Sequence, residues 1–450
     1  MHHGIVTSRF QQTAGRSRPA VFVALALMAS ATIVAPGAAR SPVAAVEAAG
    51  ADVAVPSTFG RQADSVWLDG QGEAAFRLID LFATSDVEGV NSRQFNPHAL
   101  QRNVRRALAD RSAVAATGRQ LTEAFTRYVA AVRAVAPSNE WTIVDRAAVQ
   151  PAPSARALLR DAAAKGSLST FVETMPWMHE NYAGLRRALL DAERRRDRVA
   201  AAKLRLNLDR LRLLPAPGPQ RYVLVNAAAQ RLYMYENGKV VDWMRVVVGK
   251  ATQPTPMMAA LIRYTAVNPY WNLPSDLVAE RIAPNVLKQG LPYLKAQGYV
   301  VLSDWSAGAK RVNPETIDWD AVVAGRTEIR MRQDPGPANA MGRMKFMFPN
   351  KAGVYLHDTP NKELLDEPAR LLSAGCVRLD DAPRLARWLY GRPLKVTPGM
   401  KPEQHVDLDR PVPVFLAYLT AVPSGDQAVF YDDIYGRDQA RLAQARIASR

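Results

Sequence analysis

Cysteine is almost absent from this chain: among 450 residues there is one, Cys376. A lone thiol cannot form an intramolecular disulfide, so covalent cross-links do not hold the fold. Histidine is scarce too, with six in all, and no two stand at His-x-x-x-His spacing. With no cysteine cluster and no defensible carboxylate pair, the usual metal-ligand sets are missing, and neither metal nor cofactor is expected. Ser-x-x-Lys and Gly-x-Ser-x-Gly are absent, which argues against a serine nucleophile of the familiar kinds. Beyond residue 39 no apolar run is long enough to span a bilayer. Acidic residues are in the minority: 42 Asp and Glu against 58 Lys and Arg leave a formal charge of +16. That surplus favours anionic partners. It is spread along helical stretches such as ALLDAERRRDRVAAAKLRLNLDRLRLL (188–214) and is not interleaved with aromatics. It reads as solvated helix faces, and nucleic acid is not expected as a partner.

The first 39 residues have their own character. Arg9, Arg16 and Arg18 precede an uncharged stretch, AVFVALALMASATIVAPGAA (20–39). Basic residues, an apolar segment and then small residues describe a secretory signal with cleavage after Ala39. The competing reading is an uncleaved anchor in the inner membrane, because about 20 residues can just span a bilayer. Pro36 and Gly37 shorten the strongly apolar part and favour cleavage. Either way the protein is expected outside the cytoplasm. There an idle thiol is a liability, since free cysteines tend to be oxidised.

Residues 40–60, rich in Ala, Val and Pro, read as a linker. From 61 to 215 the pattern is helical. Leu121, Phe125, Tyr128, Val129 and Val132 fall on one face of LTEAFTRYVAAVRAV, and Leu204, Leu208 and Leu211 repeat the arrangement. His98 and His179 stand alone here and read as surface or structural histidines. At PAPGPQ (215–220) the character changes to β: YVLVN, RLYMYE and KVVDWMRVVVG follow. The last two are separated by Asn237-Gly238, a strong hairpin signal. Residues 268–340 interrupt the β pattern with a mixed, partly helical insertion. The pattern resumes at MKFMFPN, VYLHD and CVRL. A helix follows, capped by Asp380 or Asp381, with Pro383 in its first turn and Gly391 at its end. VPVFLAYLTAV in the tail is again strand-like. The expected fold is α+β: a helical domain (61–215), a mainly β domain (216–400) whose cleft is covered by the 268–340 insertion, and a C-terminal segment (401–450) packing on them.

Cys376 lies in SAGCVR, and His357 lies 376 − 357 = 19 positions earlier, at the end of VYLH. A thiol that titrates near ~8.5 needs a base or a lowered pKa to act as a nucleophile. Two strands joined by a loop of that length can bring an imidazole to it. Gly375 lets substrate approach the backbone, and the N–H groups around Gly375 and Cys376 can hold an oxyanion. A buried, inert cysteine remains the other reading.

HDTP…SAGCVR resembles the signature of the L,D-transpeptidases, whose YkuD-type catalytic domain carries a histidine, a loop and then Ser/Thr-x-Gly-Cys. The resemblance extends to RYVLVNAAAQRLYMYENGKVVDWMRVVVGKATQPTP, NPYWNLP, PGPANAMGRMKFMFPN and PVPVFLAYLTA…FYDDIYGRD, in the manner of the large periplasmic YcbB-like branch. LTEAFTRYV and NLDRLRLLP fit that branch's scaffold region. The resemblance implies Cys376 as nucleophile and His357 as its base, with Gly375 and Cys376 N–H groups as oxyanion donors. It implies that Ser373 shapes the loop, its carbonyl orienting His357, and that Arg378 binds a substrate carboxylate or anchors the loop. For Arg378 an ion pair with Asp380 or Asp381 is the alternative. Many relatives have histidine where this chain has Ala374, which leaves His357 as the sole histidine near the thiol. No peptidoglycan-binding repeat is recognisable, so wall targeting would rest on scaffold, charge and insertion. Tyr270, Trp271 and Met331 are candidates to line the cleft or to pack as core. The implied partners are peptidoglycan stem peptides, as donor and acceptor, and carbapenem-type inhibitors. The implied location is the periplasm. A stem-peptide hydrolase on the same site and a non-catalytic wall-binding scaffold are the alternatives.

Overall fold

The computed structural model describes residues 66–134, 140–151, 154–397, 399–425 and 427–448. The expected signal (1–39) and linker (40–60) lie outside the described residues. Among those described, no helix is long and apolar enough to cross a membrane.

Helices dominate as far as Leu211, the longest being Val114–Arg133, with Asn181–Arg194 and Arg198–Leu211 closing the region. The predicted stripe Leu121, Phe125, Tyr128, Val129 and Val132 is fully buried, as are Leu204, Leu208 and Leu211. Aromatic rings meet edge to face in this core, Phe125 and Trp177 at 5.0 Å and 80°, the arrangement their quadrupoles favour. His98 is exposed and His179 is buried. The reading of the arginines as solvated faces needs correction at four positions: Arg133, Arg186, Arg210 and Arg212 are buried. Arg186 Nε lies 2.9 Å from Glu88 Oε2, a carboxylate that also accepts the Tyr128 hydroxyl. Arg210 pairs with Glu140 and Asp438. A buried cation requires such partners, and periodicity cannot distinguish it from one facing water.

In chain order the strands are β1 (Trp141–Ile143), β2 (Tyr222–Asn226), β3 (Arg231–Glu236), β4 (Lys239–Gly249), β5 (Met257–Val267), β6 (Trp271–Leu273), β7 (Tyr299–Leu302), β8 (Arg330–Gln333), β9 (Met344–Met347), β10 (Leu356–His357), β11 (Leu371–Ser373), β12 (Val377–Leu379), β13 (Gln404–Ala417), β14 (Ala421–Ser424) and β15 (Gln427–Phe430). β3 and β4 pair around Asn237 and Gly238. Both have positive φ, 52° and 74°, as a type I′ turn demands. The main sheet runs β5-β13-β2-β3-β4-β12-β10-β9, and β9 also pairs with β5. The sheet therefore closes on itself, leaving no free edge along that ring. Alternation divides its two faces. Val223, Val225, Met234, Val246 and Leu356 fill the inside. Tyr222, Leu224, Tyr235 and Phe415 point outward and join the helical core. The helical region and the sheet thus share a continuous core.

Two strands of the main sheet fall outside the expected boundaries. β1 arises within the helical region and lies parallel to β5. β13 begins beyond residue 400, yet it sits between β5 and β2 in the ring. The boundary at 400 is therefore corrected: 404–417 is a central strand of the closed sheet, not a packing segment. Its second half lies in the run VPVFLAYLTAV that reads as strand-like; the polar half QHVDLDR hid the rest. Its register shifts between Asp407 and Val412, which accommodates Pro411 at an irregularity. The helix Ala382–Tyr390 forms as read, its Asp381 side chain accepting the Arg384 N–H at 2.9 Å.

The 268–340 insertion builds a three-stranded sheet, β6-β8-β7, and short helices around its own core of Leu273, Val278, Ile282, Trp319 and Met331. Met331 is therefore core, not cleft lining, and Trp271 packs against it. Tyr270 lies under the Arg332 guanidinium, 3.9 Å from ring centre to cation.

Candidate active site

β9, β10 and β12 lie side by side. In the parallel β10–β12 ladder Leu356 faces Val377 and His357 faces Arg378. Across the antiparallel β9 ladder Lys345 faces His357. Paired residues project to the same side, so Lys345, His357 and Arg378 share one face. Tyr355 and Cys376 stand two positions back along the same face, where Val377 N–H donates to the Tyr355 carbonyl at 3.1 Å. Phe346, Leu356, Val377 and Leu379 point the other way, into the ring. Strict alternation thus anchors the apolar half of each strand and presents the reactive half. The parallel register sets Cys376 two positions along the same face from the His357–Arg378 pair, and its thiol lies 3.7 Å from the Gly353 carbonyl.

The loop before Cys376 is held by its own side chains. Ser373, buried, donates its hydroxyl to the Cys376 carbonyl at 2.5 Å and accepts the Gly375 N–H at 3.2 Å. Gly375 has φ +106°, a region that side chains rarely adopt. Thr255 donates its hydroxyl to the Gly375 carbonyl (2.9 Å) and accepts the Gly249 N–H (2.9 Å). Two expected roles are corrected here. The Gly375 N–H is engaged by Ser373, so it does not stand free as an oxyanion donor. The Ser373 carbonyl accepts Lys250 N–H at 2.9 Å. His357 is oriented instead by the Asp358 carbonyl, 2.6 Å from Nδ1.

That carbonyl can only accept, so Nδ1 carries the hydrogen and Nε2 is left as the basic nitrogen. Asp358 is fixed in turn by Lys362 Nζ at 2.9 Å and by the Arg343 N–H at 2.9 Å. Burial, then the Arg378 charge, push the His357 pKa down to about 3, with Lys345 and Lys362 adding to the effect against the Asp358 hydrogen bond. The Cys376 thiol is partly accessible but deep enough for burial to push its pKa up. Hydrogen bonds from Tyr355, through its backbone and then its phenol, and the charges of Arg378 and Lys345 act in the opposite sense. At neutral pH both groups are uncharged.

Arg378 does not pair with Asp380 or Asp381. Asp380 is taken by Arg245 at 3.2 Å, and Asp381 serves the helix cap. Burial, then the nearby Arg281 charge, lower the Arg378 pKa, and Cys376 opposes them. Tyr355 and Lys345 were not singled out from sequence. Tyr355 was visible two places before His357 in VYLH, on the same side of a strand. Lys345 needed the β9 register.

Residues 220–414 match the YkuD family model, described as the L,D-transpeptidase catalytic domain, and residues 60–189 match a Scaffold domain. The match to the catalytic-domain model thus takes in the whole ring of strands from β2 to β12 and most of β13. The chain is 33% identical over 250 residues to the Haemophilus influenzae protein named "Putative L,D-transpeptidase", a match that spans 54% of this chain and 49% of that protein. The chain thus matches about half the length of that curated relative. Among solved structures, an L,D-transpeptidase from Mycobacterium smegmatis aligns over 44% of this chain and 58% of its own, at 15% identity and TM-score 0.22. The Ldtfm–avibactam carbamoyl enzyme aligns over 44% and 48%, at 15% identity and TM-score 0.20. The span matched by the catalytic-domain model includes β13 up to Val414, in agreement with the sheet topology.

Proposed function

We propose that this protein is an exported, periplasmic peptidoglycan L,D-transpeptidase that works through a thioester on Cys376. The observation that carries this reading is one strand face that bears Cys376 two positions from the His357–Arg378 pair, with His357 Nδ1 pinned at 2.6 Å by a carbonyl.

In the proposed reaction Cys376 Sγ attacks the amide carbonyl that follows an L-centre in a donor stem peptide. Its proton passes to His357 Nε2. The Cys376 N–H, beside the Gly375 turn, supports the oxyanion. Collapse of the tetrahedral intermediate breaks the C–N bond, and the proton moves from His357 to the departing amine, for a tetrapeptide donor the terminal D-Ala. The side-chain amine of a second stem then attacks the thioester, loses its proton through His357 and releases the thiol. Tyr355 orients the sulfur, and Arg378, with no carboxylate of its own, binds a substrate carboxylate. Carbapenems are expected to acylate the same thiol.

The test is intact mass of the full chain after incubation with disaccharide-tetrapeptide, wild type against Cys376→Ala. An acyl adduct and a cross-linked dimer in wild type alone are expected. Trimmed stems without dimer would replace transfer by hydrolysis. Equal product from Cys376→Ala would overturn the reading.

A further inference from the structure

The C-terminal run FYDDIYGRD (430–438) supplies no residue to the strand face of Cys376 and His357, yet two of its side chains hold the turn that braces the nucleophile loop. That turn, residues 249–255, leads from β4 towards β5. It folds tightly: a side chain at Gly249 would strike the Gln253 carbonyl and the Thr255 nitrogen. The Lys250 N–H and the Thr255 hydroxyl meet the Ser373 and Gly375 carbonyls, both at 2.9 Å. These two bonds secure the residues just before Cys376.

The Tyr435 hydroxyl donates to the Gly249 carbonyl at 2.8 Å and accepts the Thr255 N–H at 3.4 Å, so a single oxygen pins both ends of the turn. Arg437 Nη2 donates to the Thr255 carbonyl at 2.9 Å. With its hydroxyl on Gly375, every polar group of Thr255 is then partnered. The two tail side chains are themselves fixed. Tyr435 stacks on Tyr418 at 5.3 Å and 18°. Its N–H donates to the Tyr418 hydroxyl at 3.0 Å, and that hydroxyl donates to Asp433 at 2.8 Å. The Arg437 guanidinium lies over both rings, 5.1 Å and 5.3 Å from their centres. The next residue, Asp438, is buried and accepts from Arg210 at 2.6 Å and from the Thr420 hydroxyl at 2.5 Å. Arg210 lies on the helix Arg198–Leu211. Two consecutive residues thus tie the helical region to the turn that carries the nucleophile loop.

Removing the Tyr435 hydroxyl takes a partner from the Gly249 carbonyl and the Thr255 N–H together, and the turn regains partners only by moving. Such movement draws the Thr255 hydroxyl away from the Gly375 carbonyl. A misplacement of the attacking atom by about 1 Å is enough to slow a reaction a hundredfold. We propose that Tyr435 and Arg437 are positioning residues for the nucleophile: acting through Thr255, they hold Cys376 in attack geometry, with Asp438 anchoring that hold to the helical region. Their effect falls on the rate of acylation, not on donor affinity. This deepens the proposed function and rests on it.

The test uses the full chain as wild type, Tyr435→Phe, Arg437→Gln and Arg437→Lys. Tyr435→Phe keeps the ring and removes only the hydroxyl. Hydrogen exchange of the amides over 373–377 reads the loop without any substrate. It should quicken about tenfold in Tyr435→Phe and in Arg437→Gln, the equivalent of ~1.4 kcal/mol, and Arg437→Lys should recover part of the loss. The faster exchange should be confined to that loop and to 249–255; a general loosening of the sheet would refute a positioning role. With disaccharide-tetrapeptide the same two variants should form the acyl adduct with kcat about tenfold lower and KM within about twofold of wild type. Unchanged exchange over 373–377 in Tyr435→Phe refutes the proposal and leaves transpeptidation as such untouched, and a raised KM with kcat intact refutes it too. Should Arg437→Gln fail to fold, Tyr435→Phe decides. If loop exchange quickens as expected but wild type forms no adduct, the proposed function fails while the hold on the loop stands.

Discussion

The resting charge state of the Cys376–His357 pair is open to direct measurement. Many cysteine nucleophiles are stored as thiolate and imidazolium. Here burial opposes both ions. With a pKa of about 3, protonated His357 at pH 7 lies four pH steps from its titration point, about 5 kcal/mol uphill. Burial raises the Cys376 pKa from an ordinary value of 9.0, so less than about 1% of the thiol is ionised at pH 7. The neutral pair dominates, and the proton must move as the sulfur attacks. The assay is the rate of iodoacetamide alkylation of the full chain between pH 5 and pH 10, read by intact mass. The rate should climb about tenfold per pH unit up to at least pH 9, without a plateau or an inflection between pH 5 and 8. A plateau reached by pH 6–7 would show a thiolate–imidazolium pair at rest and refute the reasoning.

Gly375→Ala has room for its methyl, the nearest atoms lying 3.8 Å away, so the effect comes from φ alone. A non-glycine residue at φ +106° is strained by about 1–3 kcal/mol, and relaxation should swing the Ser373–Cys376 turn and lower acylation tenfold or more, seen as slower adduct formation with little change in melting temperature. Acid should also weaken the fold through its buried neutral histidines. His179 and His357 both have folded pKa values of about 3 against 6.5. The unfolded chain therefore takes up protons as pH falls through 6.5 while the folded chain does not. Stability is full above that pH and falls between 6.5 and 3, by about 5 kcal/mol for the two together from pH 6 to pH 4. His179→Gln should remove about half of that slope in urea titrations; an unchanged slope would contradict it.

Much of the architecture was readable because it depends on local chemistry. Asn237-Gly238 takes positive φ, so the β3–β4 hairpin follows from two letters. Asp381, Pro383 and Gly391 frame a helix without help from the rest of the chain. Cys376 and His357 stand out because cysteine and histidine are scarce in the chain and the thiol follows Ser-Ala-Gly. What escaped was non-local. Ser373 was expected to direct its carbonyl at His357, but the Asp358 carbonyl does that work, and only the folded register decides between them. The oxyanion role given to the Gly375 N–H failed because a serine hydroxyl two residues away competes for it. Arg378 and Asp380 were natural partners by spacing, yet Arg245, distant in sequence, reaches Asp380 first. Lone arginines on helical stretches gave no sign of which ones enter the core.

The position of β13 bears on how the molecule assembles. Val414 pairs with Val223 and Ala260, so the ring cannot close until the last tenth of the chain has been delivered. Joining residues about 190 apart carries a loop-closure entropy of roughly 4–5 kcal/mol before any contact repays it. Until then β2 and β5 present open edges that invite pairing with other chains. Cys376, next to β12, is thus translated before the strand that completes its sheet, and a chain stopped at residue 400 would carry Cys376 and His357 with no closed ring to set their register. Slow folding, and a need for protection while the edges wait, are built into the topology.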